Sequence, residues 1–151
     1  MVTRPAPTPE IAVVRSFLKA LEAHDVDLAL TYLAPEVEYQ NMPLPALRGP
    51  AGVARFLRPA LRVTHSFEAS IKHIAANGAV VLTERTDSFM VGPVRVPFPI
   101  CGTFRVQDGQ IVLWRDTFDW TTLVVNTLLA GPLYLLRRTA MVVALKAAAR
   151  K

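Results

Sequence analysis

The 151-residue sequence contains a single cysteine, Cys101. One cysteine can form neither an intramolecular disulfide nor a cysteine-rich metal site, so both are excluded. In PFPICGTFRV, Cys101 has no neighbouring cysteine and no evident histidine partner, and we interpret it as a small core residue on a strand rather than a nucleophile. The lack of disulfides fits a reducing compartment, and we expect a cytoplasmic protein.

Long hydrophobic runs are also missing. The first ten residues, MVTRPAPTPE, contain prolines and no apolar segment, so they predict a flexible lead-in over residues 1–8 and not a signal peptide. The longest apolar stretch, residues 123–136, is interrupted by polar residues, a glycine and a proline. It is too short to cross a bilayer comfortably, so a transmembrane protein is not predicted.

Motifs for metals and cofactors are absent from the sequence. The three histidines, His24, His65 and His73, are scattered, and there is no HExxH motif. No glycine-rich phosphate loop follows a predicted strand, and no GxSxG elbow is present. We therefore predict neither a metal ion nor an organic cofactor.

Charge is scarce, and it is mostly dispersed. Charged residues make up 19% of the chain and hydrophobic residues 52%, which excludes disorder and leaves apolar side chains for a core, a pocket or an interface. The net charge is +5, with basic residues clustered only in the last segment, at Arg137, Arg138, Lys146, Arg150 and Lys151. Nucleic acid is not a predicted partner, because no basic stripe with interleaved aromatics is present.

The apolar basic tail is predicted to pack on the sheet or on a second subunit, and contact with a membrane surface is the open alternative.

The sequence does contain a set of helical patterns followed by strand patterns. Apolar residues at three- and four-residue spacing predict a first helix capped by Thr8, a second that ends at Pro35 and a third that ends at Pro59. Alternating side chains predict a short strand around residues 37–41. Between residues 64 and 120, turn signals predict four long antiparallel strands. These signals are Asn77-Gly78, Gly92-Pro93 and Asp108-Gly109.

Helices first, strands next and a closing helix with the apolar basic tail over residues 120–151 predict an α+β fold, in a single domain over residues 1–151. We expect a curved mixed or antiparallel sheet that wraps around helices to form a cone. The inside of such a cone predicts a deep apolar pocket, and we expect the functional site there.

Two strand patterns bring polar residues into this interior. In the first strand, GAVVLTERTDSFMV, the side chains of Arg85, Asp87 and Phe89 point to one face. In the second strand, QIVLWRDTFDW, Asp116 and Trp114 share a face, and alternation places Val112 and Phe118 on it as well. Buried ions are rarely left unpaired, so Arg85 is expected to bridge the two carboxylates. Two acids and one cation are best balanced when one carboxyl is protonated, which supplies an acid and a base together.

An alternative phase of the first strand remains open at this point. Glu84, Thr86 and Ser88 are also polar, so Arg85 and Asp87 could equally form a solvated pair on the outer face. Tyr39 and Asn41 favour the catalytic interpretation, because they lie two apart on one face and supply a hydroxyl and an amide able to hold a water.

Three motifs together resemble the limonene-1,2-epoxide hydrolase family, whose cone-shaped fold is shared with nuclear transport factor 2 and ketosteroid isomerase. They are EYQNMPLP at residues 38–45, ERTD at residues 84–87 and LWRDTFD at residues 113–119. The resemblance covers nearly the whole chain up to the segment after Asp119, which is more apolar than a closing helix requires.

The resemblance implies roles for individual residues. Asp116 matches the general base, Arg85 the central arginine and Asp87 the general acid, while Tyr39 and Asn41 match the residues that position the water. It implies direct attack of water on an apolar epoxide without a covalent ester and, together with the apolar excess, a homodimer. Trp114 and Phe89, which share the faces of the acids, are the predicted substrate-pocket residues.

Two other functions remain open at the level of the sequence. A ketosteroid-isomerase-like enzyme would use a carboxylate base with a tyrosine and a neutral aspartic acid, but Arg85 beside Asp87 favours ionisation and argues against it. A non-catalytic lipid- or steroid-binding protein needs the pocket but not the paired acids. Formation of a diol from an epoxide distinguishes the hydrolase from both.

Overall fold

The computed structural model describes residues 8–148, which form four helices and six strands. The helices are α1 (Pro9–Glu22), α2 (Val26–Thr31), α3 (Gly49–Val63) and α4 (Trp120–Ala148). The strands are β1 (Leu33–Asn41), β2 (Leu47–Arg48), β3 (Phe67–Asn77), β4 (Val80–Val91), β5 (Val94–Gln107) and β6 (Gln110–Phe118). Except for Thr8, the predicted flexible lead-in lies outside the described residues.

All six strands belong to one mixed sheet in the order β2-β1-β6-β5-β4-β3. The four long strands β3 to β6 form an antiparallel meander, as predicted, and β1 joins it parallel to β6. At the β5–β6 turn, Asp108 and Gly109 both have positive φ, which is the conformation that a tight Asp-Gly hairpin requires. The predicted α+β class with a mixed sheet is confirmed.

Helix α1 supplies the apolar surface that covers one face of the sheet. Thr8 caps it, because its hydroxyl oxygen accepts a hydrogen bond from the backbone N–H of Ile11 at 3.4 Å. Phe17 on its buried face contacts the rings of Phe104 and Trp114 at centroid distances of 6.3 and 4.9 Å. The main core therefore lies between α1 and the strands β5 and β6.

Two prolines do not end helices where the sequence predicts it. Helix α2 ends at Thr31, and Pro35 lies inside β1, in the stretch where the β1–β6 pairing is irregular and a missing N–H breaks no ladder bond. Helix α3 continues through Pro59 to Val63. Pro59 is exposed, so the carbonyl that loses its helical donor can be hydrated.

Two strand residues also lie on other faces than predicted. On β6, the pairing shifts by one residue between Leu113 and Ile111, so Ile111 is fully buried while Val112 is half-buried. This bulge changes the phase of the strand, which simple alternation cannot anticipate. Cys101 is exposed, because the inward positions of β5 are the even-numbered ones, and its predicted core placement is wrong.

Helix α4 follows β6 directly and packs on β5. Ala130 is buried, whereas Leu128 and Leu129 on the other side of the helix are exposed. As far as the structure describes it, the tail thus packs only partly on the sheet. Of the described helices, none combines the length and the apolar character needed to cross a membrane.

Candidate active site

Residues paired across neighbouring strands point to the same face of a sheet, so the strand register shows which side chains of the site lie side by side in a row across the strands. One row contains Asn41, Asp116, Gly102 and Thr83, from β1 across β6 and β5 to β4. Arg85, on the same face of β4, belongs to the next row. Strand β5 therefore separates the strand that carries the arginine from the strand that carries Asp116.

Arg85 crosses β5 and joins two carboxylates. Its Nε donates to Asp87 Oδ1 at 2.8 Å and its Nη2 donates to Asp116 Oδ2 at 2.6 Å. A third hydrogen bond runs from Nη1 to Thr83 Oγ1 at 3.2 Å. Arg85 is 1% exposed and each aspartate 3%, so the inward phase of β4 is the correct one and the predicted bridge is present.

Gly102 creates the passage through which the arginine reaches Asp116. A Cβ atom at this position would overlap Arg85 Nη1 and would lie 2.6 Å from Thr83 Oγ1 and 3.0 Å from Asp116 Oδ1. Ordinary contacts are about 3.5–4.0 Å, so any side chain here would displace the guanidinium. Gly102 is required for its lack of volume, since its φ is not in the left-handed region.

The two oxygens of Asp116 are in different situations. Oδ2 accepts from Arg85, whereas Oδ1 is buried and has no hydrogen-bond partner within the described chain. The indole Nε1 of Trp114, two residues earlier, is also buried and makes no hydrogen bond of ordinary geometry there, but its N–H is close enough to Asp116 to lower the pKa of that acid in part. A carboxylate oxygen with free lone pairs is what a general base needs in order to take a proton from a bound water.

Burial raises the pKa of both acids. For Asp87, desolvation outweighs the opposing effect of Arg85 and raises the pKa to about 6. Desolvation likewise raises the pKa of Asp116 above its ordinary value, against the attraction of Arg85. Burial alone would lower the pKa of Arg85, but the two carboxylates raise it, so the guanidinium stays charged. The set as a whole therefore favours one shared proton at the carboxyls.

Tyr39 and Asn41 are placed beside Asp116 by the parallel pairing of β1 with β6, in which Asn41 lies opposite Asp116. The side-chain Nδ2 of Asn41 donates to the Tyr39 hydroxyl at 2.6 Å. Desolvation and the Asp116 charge raise the pKa of Tyr39, so the hydroxyl keeps its proton and can donate it. The amide and the hydroxyl thus form a polar pair next to Asp116.

The two predicted pocket residues are placed differently. Trp114 is 3% exposed and belongs to the main core, and its ring is stacked on the Tyr39 ring with 3.9 Å between the centroids. Phe89 is half-buried, and its ring contacts the Phe98 ring with 5.8 Å between the two centroids. Phe98 lies directly opposite Asp87 and contacts Phe118, so this aromatic group extends along the site.

A cavity of about 520 Å³ lies elsewhere in the molecule. Its walls are residues of the α1–α2 turn and of α3, such as His24, Asp27 and Arg58, and it contains none of the predicted site residues. A deep apolar pocket in front of the two acids therefore stays a prediction. Among the described residues, no group of three or more His, Cys, Asp or Glu side chains is placed to hold a metal ion.

Sequence reasoning missed two residues of this site, Gly102 and Thr83. The available signal for Gly102 was a glycine inside a strand pattern, which often marks close approach of another group. Thr83 has the same phase as Arg85 and Asp87 on β4, but a threonine in a strand gives no signal of its own.

Comparison with known proteins identifies the family. Residues 8–129 match the model of the limonene-1,2-epoxide hydrolase catalytic domain. The chain is 44% identical over 106 residues to epoxide hydrolase EphG of Mycobacterium tuberculosis, which covers 70% of each protein.

Solved structures agree with this result. The structure of an M. tuberculosis epoxide hydrolase of the same type matches with a TM-score of 0.76 and 38% identity, covering 88% of this chain and 99% of that one. A protein from Catenulispora acidiphila with the ketosteroid-isomerase-like fold matches with a TM-score of 0.70 over 76% of this chain and 91% of that one, but at 13% identity it shows the fold alone. The chain therefore belongs to the limonene-1,2-epoxide hydrolase family and is a cofactor-independent epoxide hydrolase.

Proposed function

We propose that the enzyme adds water to an epoxide on an apolar, terpene-, lipid- or steroid-like substrate in one step. Asp116 is the general base and Asp87 the general acid, and Arg85 holds both in position. Tyr39 and Asn41 hold the attacking water. The product is a vicinal diol.

The observation that carries this proposal is the asymmetry of Asp116. Arg85 occupies one carboxylate oxygen, and the other has no partner within the described chain. A water held by the Tyr39–Asn41 pair would place its proton toward that free oxygen. Because Asp116 is then in contact with the water rather than the epoxide carbon, it acts as a base and not as a nucleophile.

The proton and electron transfers balance within this set. The water oxygen forms a bond to one epoxide carbon while its proton goes to Asp116. The bond between that carbon and the epoxide oxygen breaks, and the oxygen takes the proton of Asp87. The raised pKa of Asp87, about 6, supports this role because a carboxyl with an ordinary pKa would carry few protons near neutrality.

The surroundings of the acids support an apolar substrate. Phe98 lies opposite Asp87, Ile100 lies opposite Arg85, and Phe118 lies opposite Ile100, all on the inner face of the sheet. Apolar walls around a few converging polar groups are typical of sites for apolar ligands. The proposal includes the homodimer that the apolar excess predicts, to be tested by light scattering.

A single turnover in oxygen-18 water tests the mechanism. Direct attack puts the label into the diol formed in the first turnover. A carboxylate nucleophile would give unlabelled first-turnover diol and leave the label in an aspartate, because the ester is hydrolysed at its carbonyl carbon. Labelled aspartate with unlabelled diol would overturn the one-step mechanism.

A further inference from the structure

Helix α4 extends well beyond the residues that the family model matches. The family match ends at residue 129, whereas α4 runs from Trp120 to Ala148. The M. tuberculosis structure is matched over 99% of its length, yet about an eighth of this chain has no counterpart in it. Residues 130–151, called the extension below, lie beyond the part of the chain that the family model matches.

An exposed apolar stripe follows α4 into the extension. Its members are between 45% and 71% exposed, and at about 3.6 residues per turn they fall within an arc of roughly 140°. They are Val124, Val125, Leu128, Leu129, Leu135 and Leu136. Ala130, on the opposite side of the helix, is buried. The stripe therefore points away from the domain.

The extension also carries the entire net charge of the protein. It contains five basic residues and no acidic residue, whereas residues 1–129 contain twelve of each sign. The basic residues are Arg137, Arg138, Lys146, Arg150 and Lys151. Of these, Arg138 has an exposed side chain and lies next to one edge of the apolar stripe.

We propose that α4 and the extension bind the protein to the surface of an anionic lipid bilayer. Leucines and valines on one side of a helix enter the boundary between headgroups and acyl chains, and neighbouring cations pair with anionic headgroups. A second copy of the chain fits this surface less well. Two extensions would bring like charges together without a carboxylate in either to pair them.

Sedimentation of the full-length protein with lipid vesicles tests the proposal. We expect binding to vesicles of phosphatidylcholine mixed with phosphatidylserine, about tenfold or more stronger than binding to phosphatidylcholine alone. The binding should weaken as salt is added, because headgroup attraction is screened. Equal binding to both kinds of vesicle, or binding to neither, would overturn the proposal.

Two sets of variants separate the apolar and the electrostatic contributions. The first set is a triple variant, with Leu128→Asn, Leu135→Asn and Leu136→Asn, and the second is a double variant, with Arg137→Gln and Arg138→Gln. Each variant should bind vesicles about tenfold more weakly than the wild type, with epoxide hydrolysis unchanged. The matched controls are Leu82→Asn and Arg105→Gln, which alter exposed residues on the outer face of the sheet, and these should bind as the wild type does.

The same variants test whether a second copy of the chain, rather than a lipid bilayer, covers the apolar stripe. Light scattering should give one molar mass for the wild type and for both sets of variants. A leucine variant that lowers the molar mass while keeping wild-type vesicle binding would identify the stripe as a subunit interface and refute the proposal. The arginine variant keeps the experiment decisive if the leucine variant fails to fold.

Discussion

Replacing Gly102 by alanine tests whether the passage of Arg85 across β5 is needed for catalysis. The added Cβ would overlap Arg85 Nη1 and lie 2.6 Å from Thr83 Oγ1. Restoring ordinary contact distances requires the guanidinium to move by about 1 Å. The hydrogen bonds of 2.6 Å to Asp116 and 2.8 Å to Asp87 cannot both survive such a movement.

The expected loss follows from this displacement. A misplacement of about 1 Å in a catalytic set costs roughly 100-fold in rate, which corresponds to about 2.7 kcal/mol of transition-state stabilisation. The effect should fall mainly on kcat, because the displaced groups act on the water and on the opening oxygen rather than on the apolar part of the substrate. The free energy of unfolding should also fall, since a buried ion pair is strained.

Initial rates of diol formation give kcat and KM for Gly102→Ala, and circular dichroism checks that the variant is folded. Gly52→Ala is the matched control, because Gly52 is also buried and its added Cβ would lie 3.8 Å from Leu47 Cβ, an ordinary contact. The control should keep wild-type activity. A folded Gly102→Ala enzyme with kcat within about threefold of the wild type would refute the reasoning.

Four further predictions concern the same set. Asp116→Asn should keep the fold and lose more than about nine tenths of the rate constant of hydrolysis measured in single-turnover assays, because an amide cannot accept the proton of water. Arg85→Lys should be similarly inactive, since an ammonium group lacks the planar fork that reaches both carboxylates, and rate measurements with a thermal melt will show it. The pKa of Asp87 is raised to about 6 from its ordinary 3.8, so its contribution to stability is present below pH of about 4 and is lost as pH rises through about 6. Urea midpoints should fall more steeply across this window in the wild type than in Asp87→Asn, in which Asp116 alone keeps a raised pKa, and a fall of equal size in the two proteins would contradict the assignment. Tyr39→Phe and Asn41→Ala should lower kcat partially with little change in KM, and a rise mainly in KM would exclude their role in holding the water.

The sequence alone determined which side chains share a face. Alternation along β4 put Arg85 and Asp87 together, and the cost of burying unpaired ions predicted that Asp116 would join them. These inferences depend on local periodicity and on electrostatics, which need no knowledge of the neighbouring strands. The turn signals likewise predicted the four-strand meander, because Gly and Asp allow backbone conformations that other residues disfavour.

Only the tertiary structure decided how these faces meet. Periodicity does not reveal that β5 lies between β4 and β6. It therefore could not show that position 102 must lack a side chain for Arg85 to reach Asp116. The parallel pairing of β1 with β6, which places Asn41 opposite Asp116, joins segments far apart in the chain. Local alternation determines which residues of a strand share a face, but which face is buried and how the strands are ordered depend on long-range packing that no single segment encodes.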